Sequence, residues 1–326
     1  MKNIHISNVN NILKNCGNVM SSDKLLIISD RTTSKILKYF LNEALKLTSN
    51  IFHYKINVQQ NHGSKISQKL EKLMLKSTII VALTKFSLAH TKARIQAAKA
   101  GARFLSLPDY DFKLINNPSL SVDFKKYNVE AKKISRLLSN SNKIHVTSKL
   151  GTNLKIYVNK RISNCCPGFV NGPGDLGSPP DIEVNISPIE TRSHGRLVID
   201  GSVTHPSIKL LSDPIIILIN NGKITKFYTK NKKNHEQLKK IFEKKNNKRK
   251  ILAEFGIGLN HKAHLTGKML TDEGCRGCVH FGFGSNITVG GQNDINFHID
   301  FVMKKANVYI DKKYFIKNGK IQKKIF

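Results

Sequence analysis

A chain of 326 residues is long enough to form two domains, each with its own hydrophobic core. Its formal net charge of +32 is the most unusual feature of the composition, and such a charge attracts nucleic-acid phosphates. The excess is mostly lysine, scattered along the chain among abundant asparagine and isoleucine, which is typical of an AT-rich genome. We therefore predict no specific nucleic-acid partner.

The apolar segments are too short for a membrane protein. The longest, at 214–219, suits a buried strand and falls far short of a bilayer span. The first residues lack the apolar centre of a secretion signal, and five cysteines in a chain of this size do not form a disulfide framework. We expect a cytoplasmic protein that does not associate with membranes.

The first 140 residues alternate between strand and helix patterns. Patterns of apolar residues predict strands at 24–30, 51–57, 77–83 and 103–108, and helices at 32–47, 64–76 and 87–102. This order predicts a Rossmann-like α/β domain over residues 1–140, with a parallel sheet covered by helices on both faces. The sequence lacks the two best-known glycine-rich phosphate-binding motifs, so this domain alone indicates no function.

Residues 141–326 have a strand-rich α+β pattern. A hairpin is predicted at 143–159 with its turn at Leu150-Gly151, and a second at 214–228 around an Asn-Asn-Gly turn. A single amphipathic helix is predicted at 234–246. The last strands of this region contain polar residues that plain buried strands do not need, so we expect the functional site here.

The segment "FHIDF" places two potential metal ligands on one face of a strand. Side chains alternate along a strand, so His298 and Asp300 project together while Ile299 and Phe301 point into a core. Adjacent imidazole and carboxylate groups can chelate a divalent metal, although a simple His–Asp hydrogen bond is the alternative. We predict that His298 and Asp300 bind the same ion.

Three further polar residues occur on equally apolar segments. His280 lies in "CVHFGFG", Glu254 in "LAEFGIGLN" and Glu183 in "PPDIEVNISPIE". Carboxylates are rarely buried without a partner, and a cation is the partner that several of them would share. The sequence therefore predicts a metal site in the second domain.

These segments, together with "SLAHTKARIQAAKAGARFLSLP" nearer the N-terminus, resemble the thermophilic-type metallo-aminopeptidases, the aminopeptidase T or leucyl aminopeptidase group. The resemblance implies a homodimeric hydrolase that removes N-terminal residues from peptides, or acts on another small molecule, with two divalent ions of the Zn, Co or Mn type. The metal ligands that carry over are Glu183, Glu254, Glu273, His280, His298 and Asp300. Glu183 or Glu254, whichever does not bridge the ions, would be the general base that activates a metal-bound water.

The match departs from the aminopeptidase pattern near the histidine. Two extra residues separate Glu273 from His280, and the family tyrosine falls at Ile287, which cannot donate a hydrogen bond. Strand alternation would place Ser285 on the same face as Ile287, so we expect Ser285 to contact substrate. His90, expected near the start of the helix at 87–102, is a further candidate substrate contact.

The 2,5-dihydroxypyridine 5,6-dioxygenases share this scaffold and a similar H-x-D segment. The resemblance to them implies one Fe(II), for which His280, His298 and Asp300 would form a two-histidine, one-carboxylate set. Four carboxylates and two histidines are more ligands than one ion needs, which favours the two-metal hydrolase. The ring-cleaving dioxygenase remains the alternative.

Overall fold

The computed structural model describes residues 3–243 and 246–322 of the chain. The α-helices are α1 (Ile4–Asn11), α2 (Ser34–Leu45), α3 (Gln68–Leu75), α4 (Lys92–Lys99), α5 (Phe112–Ile115), α6 (Phe124–Ser139), α7 (Lys232–Phe242) and α8 (Met269–Glu273). The strands are β1 (Leu25–Ser29), β2 (Ile51–Lys55), β3 (Ile79–Leu83), β4 (Arg103–Ser106), β5 (Lys143–Thr147), β6 (Asn153–Tyr157), β7 (Asn164–Cys166), β8 (Leu176–Gly177), β9 (Glu183–Ile186), β10 (His194–Ile199), β11 (Ser202–Val203), β12 (Lys209–Leu210), β13 (Ile215–Asn220), β14 (Lys223–Tyr228), β15 (Leu252–Gly258), β16 (Cys278–Gly284), β17 (His298–Lys304), β18 (Asn307–Ile310), β19 (Lys313–Lys317) and β20 (Lys320–Ile321).

The chain packs as two compact units. One runs to Lys125 and includes Pro167–Pro180, and the other comprises Lys126–Cys166 and the chain from Asp181 onward. This division differs from the single boundary predicted near residue 140. Helix α6 belongs to the second unit from Lys126 onward, and residues 167–180 belong to the first because β8 pairs with β4. The periodicity of apolar residues in the sequence does not reveal that the chain returns from the second unit to the first at residues 167–180.

The first unit contains the predicted parallel sheet, which is confirmed. Its five strands follow the order β2-β1-β3-β4-β8, and every neighbouring pair is parallel. Strands β1, β3 and β4 are buried along their whole length, as is expected of strands covered on both faces. Leu70, Met74, Ala93 and Ala97 contribute the buried faces of α3 and α4 to one core with these strands.

Helix α4 begins later than the sequence predicts. Thr91 caps it by accepting a hydrogen bond from the Arg94 backbone N–H, so the helix runs over Lys92–Lys99 and not over 87–102. His90 consequently lies in the turn before the helix, where it is exposed. The prediction that His90 lies on the helix is therefore wrong.

The second unit contains two antiparallel sheets, as an α+β domain should. The eight-stranded sheet has the order β14-β13-β10-β6-β5-β18-β19-β20, and the seven-stranded sheet has the order β12-β11-β17-β16-β15-β9-β7. Both predicted hairpins are present, as β5–β6 and β13–β14. Asn221 and Gly222 both have positive φ in the second turn, which explains the Asn-Asn-Gly sequence there.

The predicted amphipathic helix is α7. It buries Leu238, Ile241 and Phe242 and turns its lysines outward, and residues 244–245 of the predicted range lie outside the described residues. Between residues 3 and 243 and between 246 and 322, no helix has the length and apolar character of a membrane span.

Candidate metal centre

Four neighbouring strands of the seven-stranded sheet present five of the six predicted ligands on one face, and the sixth, Glu273, ends helix α8. Glu183 begins β9, Glu254 lies on β15, His280 on β16, and His298 and Asp300 on β17. Each of these ligands has a glycine opposite it on one neighbouring strand: Gly258 faces Glu183, Gly256 faces His280, Gly282 faces both Glu254 and Asp300, and Gly284 faces His298. The side chains can therefore lean over bare backbone and approach one another.

Gly256 and Gly282 are required for this approach. A β-carbon at Gly256 would lie 2.0 Å from His280 Nε2, and one at Gly282 would lie 2.7 Å from His298 Nε2 and 2.9 Å from Asp300 Oδ1. These distances are too short for any non-bonded carbon, so the ligand side chains can keep these positions only while both residues are glycine. The two glycines form a cradle in which the nitrogen and oxygen ligands converge.

The ligand atoms form two groups that share Glu254. His280 Nε2 lies 3.1 Å from Glu183 Oε2 and 3.5 Å from Glu254 Oε1. His298 Nε2 lies 3.3 Å from Glu254 Oε2 and 3.1 Å from Asp300 Oδ1. We call Glu183, Glu254 and His280 half-site A, and Glu254, His298 and Asp300 half-site B. In each half-site the ligand atoms lie within 4.8 Å of one another, which suits bonds of about 2.0–2.2 Å to a central cation.

Buried negative charge makes a cation a good fit. Five acidic side chains cluster here, since Asp181 and Glu273 form a third group with Glu183. All five are at most 9% exposed. In the parts of the chain that the structure describes, their recorded ion pairs are with the two histidines and with no lysine or arginine. Among the residues that the structure describes, Asp181 Oδ1 and Glu273 Oε1 find no hydrogen-bond partner, which is costly unless a cation or proton balances them.

The pKa shifts of the residues in the cluster agree with this deficit of positive charge. Burial alone would lower the pKa of each histidine, but Glu183 and Glu254 raise the pKa of His280, and Asp300 and Glu254 raise that of His298, well above the ordinary value. Burial would raise the pKa of Glu254, but hydrogen bonds from both histidines lower it below its usual range. The metal-free site therefore holds protons on its histidines where cations would bind.

The pKa values of Asp181 and Glu273 shift in the direction opposite to that of Glu254. Burial raises the pKa of Glu273 well above its ordinary value, and the charges of Asp300 and Glu183 add to the effect. Burial and the charge of Glu183 likewise raise the pKa of Asp181. Sequence reasoning missed Asp181, although its position two residues before Glu183 on an extended segment is the alternation signal that identified Asp300.

The structure groups the predicted ligands differently from a two-histidine set. His280 and His298 belong to different half-sites, and the third ligand beside His298 and Asp300 is Glu254. Glu273 lies in neither half-site, but it is joined to half-site A through Glu183. The predicted shared face of His298 and Asp300 is present, with Ile299 and Phe301 buried on the other side.

The residues after β16 do not continue the strand as predicted. The strand ends at Gly284, and Ile287 lies exposed in a 3-10 turn over Ile287–Val289, so alternation does not place Ser285 beside Ile287. The recorded contact of Ser285 with the site uses its backbone carbonyl, which lies 2.7 Å from His298 Nδ1. That hydrogen bond holds the Nδ1 proton and leaves Nε2 directed at Glu254 and Asp300.

The fold and the acid–histidine cluster indicate a metal-binding enzyme. The family model described as NicX, 2,5-dihydroxypyridine 5,6-dioxygenase, matches residues 6–323. The chain therefore belongs to this family, and the resemblance noted in the sequence is confirmed. Among curated proteins none matches the chain.

Two solved structures are similar over nearly the whole chain. The 2,5-dihydroxypyridine dioxygenase of Pseudomonas putida KT2440 superposes with a TM-score of 0.81 at 18% identity, covering 98% of this chain and 97% of its own. Wild-type AmpT from Thermus thermophilus superposes with a TM-score of 0.72 at 11% identity, covering 97% and 98%. At these identities the similarity establishes a shared fold and nothing more. The dioxygenase and the aminopeptidase, the two kinds of protein that the sequence resembles, both have this fold.

Proposed function

We propose that the chain is a metal-dependent oxygenase that opens the ring of a small hydroxylated aromatic compound of the 2,5-dihydroxypyridine type. The family match over residues 6–323 supports this proposal. The feature of the site that carries it is the openness of half-site B. The His298 side chain is 32% exposed, whereas that of His280 in half-site A is 2% exposed. An oxygenase needs open positions for dioxygen and substrate beside its ion, and half-site B offers them.

Half-site B would hold the ion through His298, Asp300 and Glu254. When bound, Fe(II) would supply the one-electron chemistry that lets dioxygen react with an aromatic ring. The protein would supply orientation, because the Ser285 carbonyl fixes the His298 ring. It would also supply a proton acceptor. The buried Glu183 carboxylate, 3.1 Å from protonated His280, could take the proton lost by a ring hydroxyl.

A two-metal hydrolase similar to the aminopeptidases is the second candidate, and one observation favours it. Glu254 turns one oxygen toward each histidine, which is the arrangement of a carboxylate that bridges two ions about 3.5–4 Å apart. Two ions of the zinc, cobalt or manganese type would supply Lewis acidity and a water of lowered pKa. With Glu254 in the bridging position, Glu183 is the remaining candidate for the general base.

The deciding experiment measures metal content and both activities on one preparation. Metal per chain is determined after purification without chelators, and the protein is then loaded anaerobically with Fe(II) or, separately, with Zn(II) or Mn(II). Oxygen uptake coupled to loss of 2,5-dihydroxypyridine, dependent on Fe(II), would support the oxygenase. Release of aminoacyl reporter groups at two ions per chain would support the hydrolase. Asp300→Asn must abolish whichever activity is observed, and absence of both activities in the loaded protein would contradict the oxygenase and the hydrolase alike.

The variant Ile287→Tyr provides a further test of the hydrolase proposal. Ile287 has no hydroxyl to stabilise an oxyanion, and a single such donor contributes on the order of 100- to 1,000-fold to turnover. Ile287→Tyr should therefore raise a genuine aminopeptidase activity markedly. Its exposed position in the 3-10 turn makes the substitution compatible with the fold. If ring cleavage is the real activity, the same variant should not acquire reporter cleavage.

A further inference from the structure

The loop that follows β16 is held by a buried polar network that none of the predicted ligands explains. Asn286 is fully buried and its side-chain amide donates to Ser187 Oγ at 2.9 Å and to Glu190 Oε1 at 2.8 Å. Its side-chain oxygen accepts the Asn293 backbone N–H at 2.7 Å. Gly291 packs so closely that a β-carbon there would lie 1.9 Å from Asn286 Cγ. The loop is therefore built around this one amide.

Glu190 and Arg161 hold the same loop from the other side. Besides Asn286, Glu190 Oε1 accepts the Gln292 backbone N–H at 2.7 Å. Its second oxygen pairs with Arg161, which also donates to the Gly290 carbonyl at 2.8 Å. Burial would raise the pKa of Glu190, but these hydrogen bonds and the Arg161 charge lower it, so the carboxylate stays ionised near neutral pH. We call Asn286, Glu190 and Arg161 the loop clamp.

We propose that the loop clamp positions His298, and that Asn286 is its central positioning residue. The link is the peptide plane between Ser285 and Asn286. Its carbonyl lies 2.7 Å from His298 Nδ1, and its N–H donates to the Asn293 carbonyl at 3.2 Å. Because a peptide unit is planar and rigid, fixing the N–H side fixes the direction of the carbonyl. Asn286 thus sets the orientation of the imidazole that half-site B needs.

The inference rests on the proposed metal centre for its functional meaning, but its geometry does not require a metal. A metal-bound histidine whose second hydrogen bond is lost typically binds the ion about 10- to 100-fold more weakly. Loss of the clamp should therefore weaken half-site B and leave half-site A, which contains no residue of β17, unaffected. A general loss of folding would weaken both half-sites together.

The test compares Asn286→Ala with Asn307→Ala. Asn307 is the control because its side chain also accepts two hydrogen bonds, from Tyr314 and the Asn318 backbone, on a strand without predicted ligands. The first readout is the solvent exchange of the His298 Nδ1 proton in metal-free protein, followed by NMR and assigned by its loss in His298→Gln. Asn286→Ala should accelerate this exchange at least tenfold, and Asn307→Ala should not.

The second readout is a Zn(II) titration against a chromophoric chelator. Asn286→Ala should weaken one binding step by about 10- to 100-fold and spare any other. If Asn286→Ala does not fold, Glu190→Gln carries the test, since it keeps the shape of the side chain but removes the charge paired with Arg161; it should increase the exchange rate to a smaller degree. If the exchange of the His298 Nδ1 proton is unchanged in a folded variant, the proposal that the loop clamp positions His298 is wrong. If the variant accelerates this exchange but the wild-type protein binds no Zn(II), only the proposed metal centre is contradicted.

Discussion

Substituting Gly282 by alanine should remove metal from half-site B while the protein still folds. The new β-carbon would lie 2.7 Å from His298 Nε2 and 2.9 Å from Asp300 Oδ1, whereas ordinary carbon contacts begin at about 3.5 Å. The nearest atoms belong to side chains, and His298 is partly exposed, so its ring can turn outward by roughly 0.8 Å or more without moving the backbone. A shift of that size exceeds the tolerance of about 0.2 Å in metal–ligand distances.

The expected result is the loss of the ion in half-site B and a fall in activity on the order of 100-fold, as is typical of a displacement near 1 Å at a reacting centre. Metal content by plasma mass spectrometry, a Zn(II) or Fe(II) titration and a thermal melt together provide the assay. Gly172→Ala is the matched control, because the nearest atom to its new β-carbon lies 3.9 Å away. If Gly282→Ala binds metal as tightly as the wild-type protein, the inference that half-site B requires glycine at position 282 is refuted.

Three further outcomes are expected, from the ligand set, from the histidine pKa shifts and from the scattered lysines. Glu254→Gln should weaken metal binding in both half-sites, whereas Asp300→Asn should affect half-site B alone, as two-step metal titrations would reveal. Metal-free protein should lose stability as pH rises above about 6.5 through the raised pKa values of His280 and His298, because their charged forms stabilise the fold; denaturant melts with and without saturating metal test this. Duplex DNA binding should be weak and fall steeply with salt in a filter or anisotropy assay.

Local periodicity was enough to predict the pairing of His298 with Asp300. The alternation of side chains along a strand depends only on neighbouring residues. The separation of 3.1 Å between His298 Nε2 and Asp300 Oδ1 in the structure agrees with it. The parallel sheet of the first unit was predictable for a similar reason, since each buried strand and each amphipathic helix carries its own pattern. Both features depend on residues within one or two elements.

The arrangement around Glu254 was not predictable in the same way. Which strands become neighbours is decided by pairing between distant segments, and a register irregularity in β15 between Leu252 and Glu254 changes the alignment of Glu254 relative to β16. The contribution of Ser285 was hidden because it uses a backbone carbonyl, which every residue has. The glycines of "EFGIG" and "HFGFG" were visible, but only the paired strands reveal that Gly256 and Gly282 face ligands.

The charge of the cluster distinguishes the two proposed functions physically. The cluster contains five buried acids and two histidines, and one divalent ion in half-site B would offset two of the negative charges of the acids. An oxygenase with one ion in half-site B would then have to keep protons elsewhere in the cluster, on His280 or on Asp181 and Glu273, whose pKa is raised. With the proton on His280, the neighbouring Glu183 would be the base of an acid–base pair. A hydrolase would hold a second ion through Glu183, Glu254 and His280 in place of that proton. The two proposed chemistries could therefore use one set of side chains, and under this proposal the occupant of half-site A, a proton or a metal, would select between them.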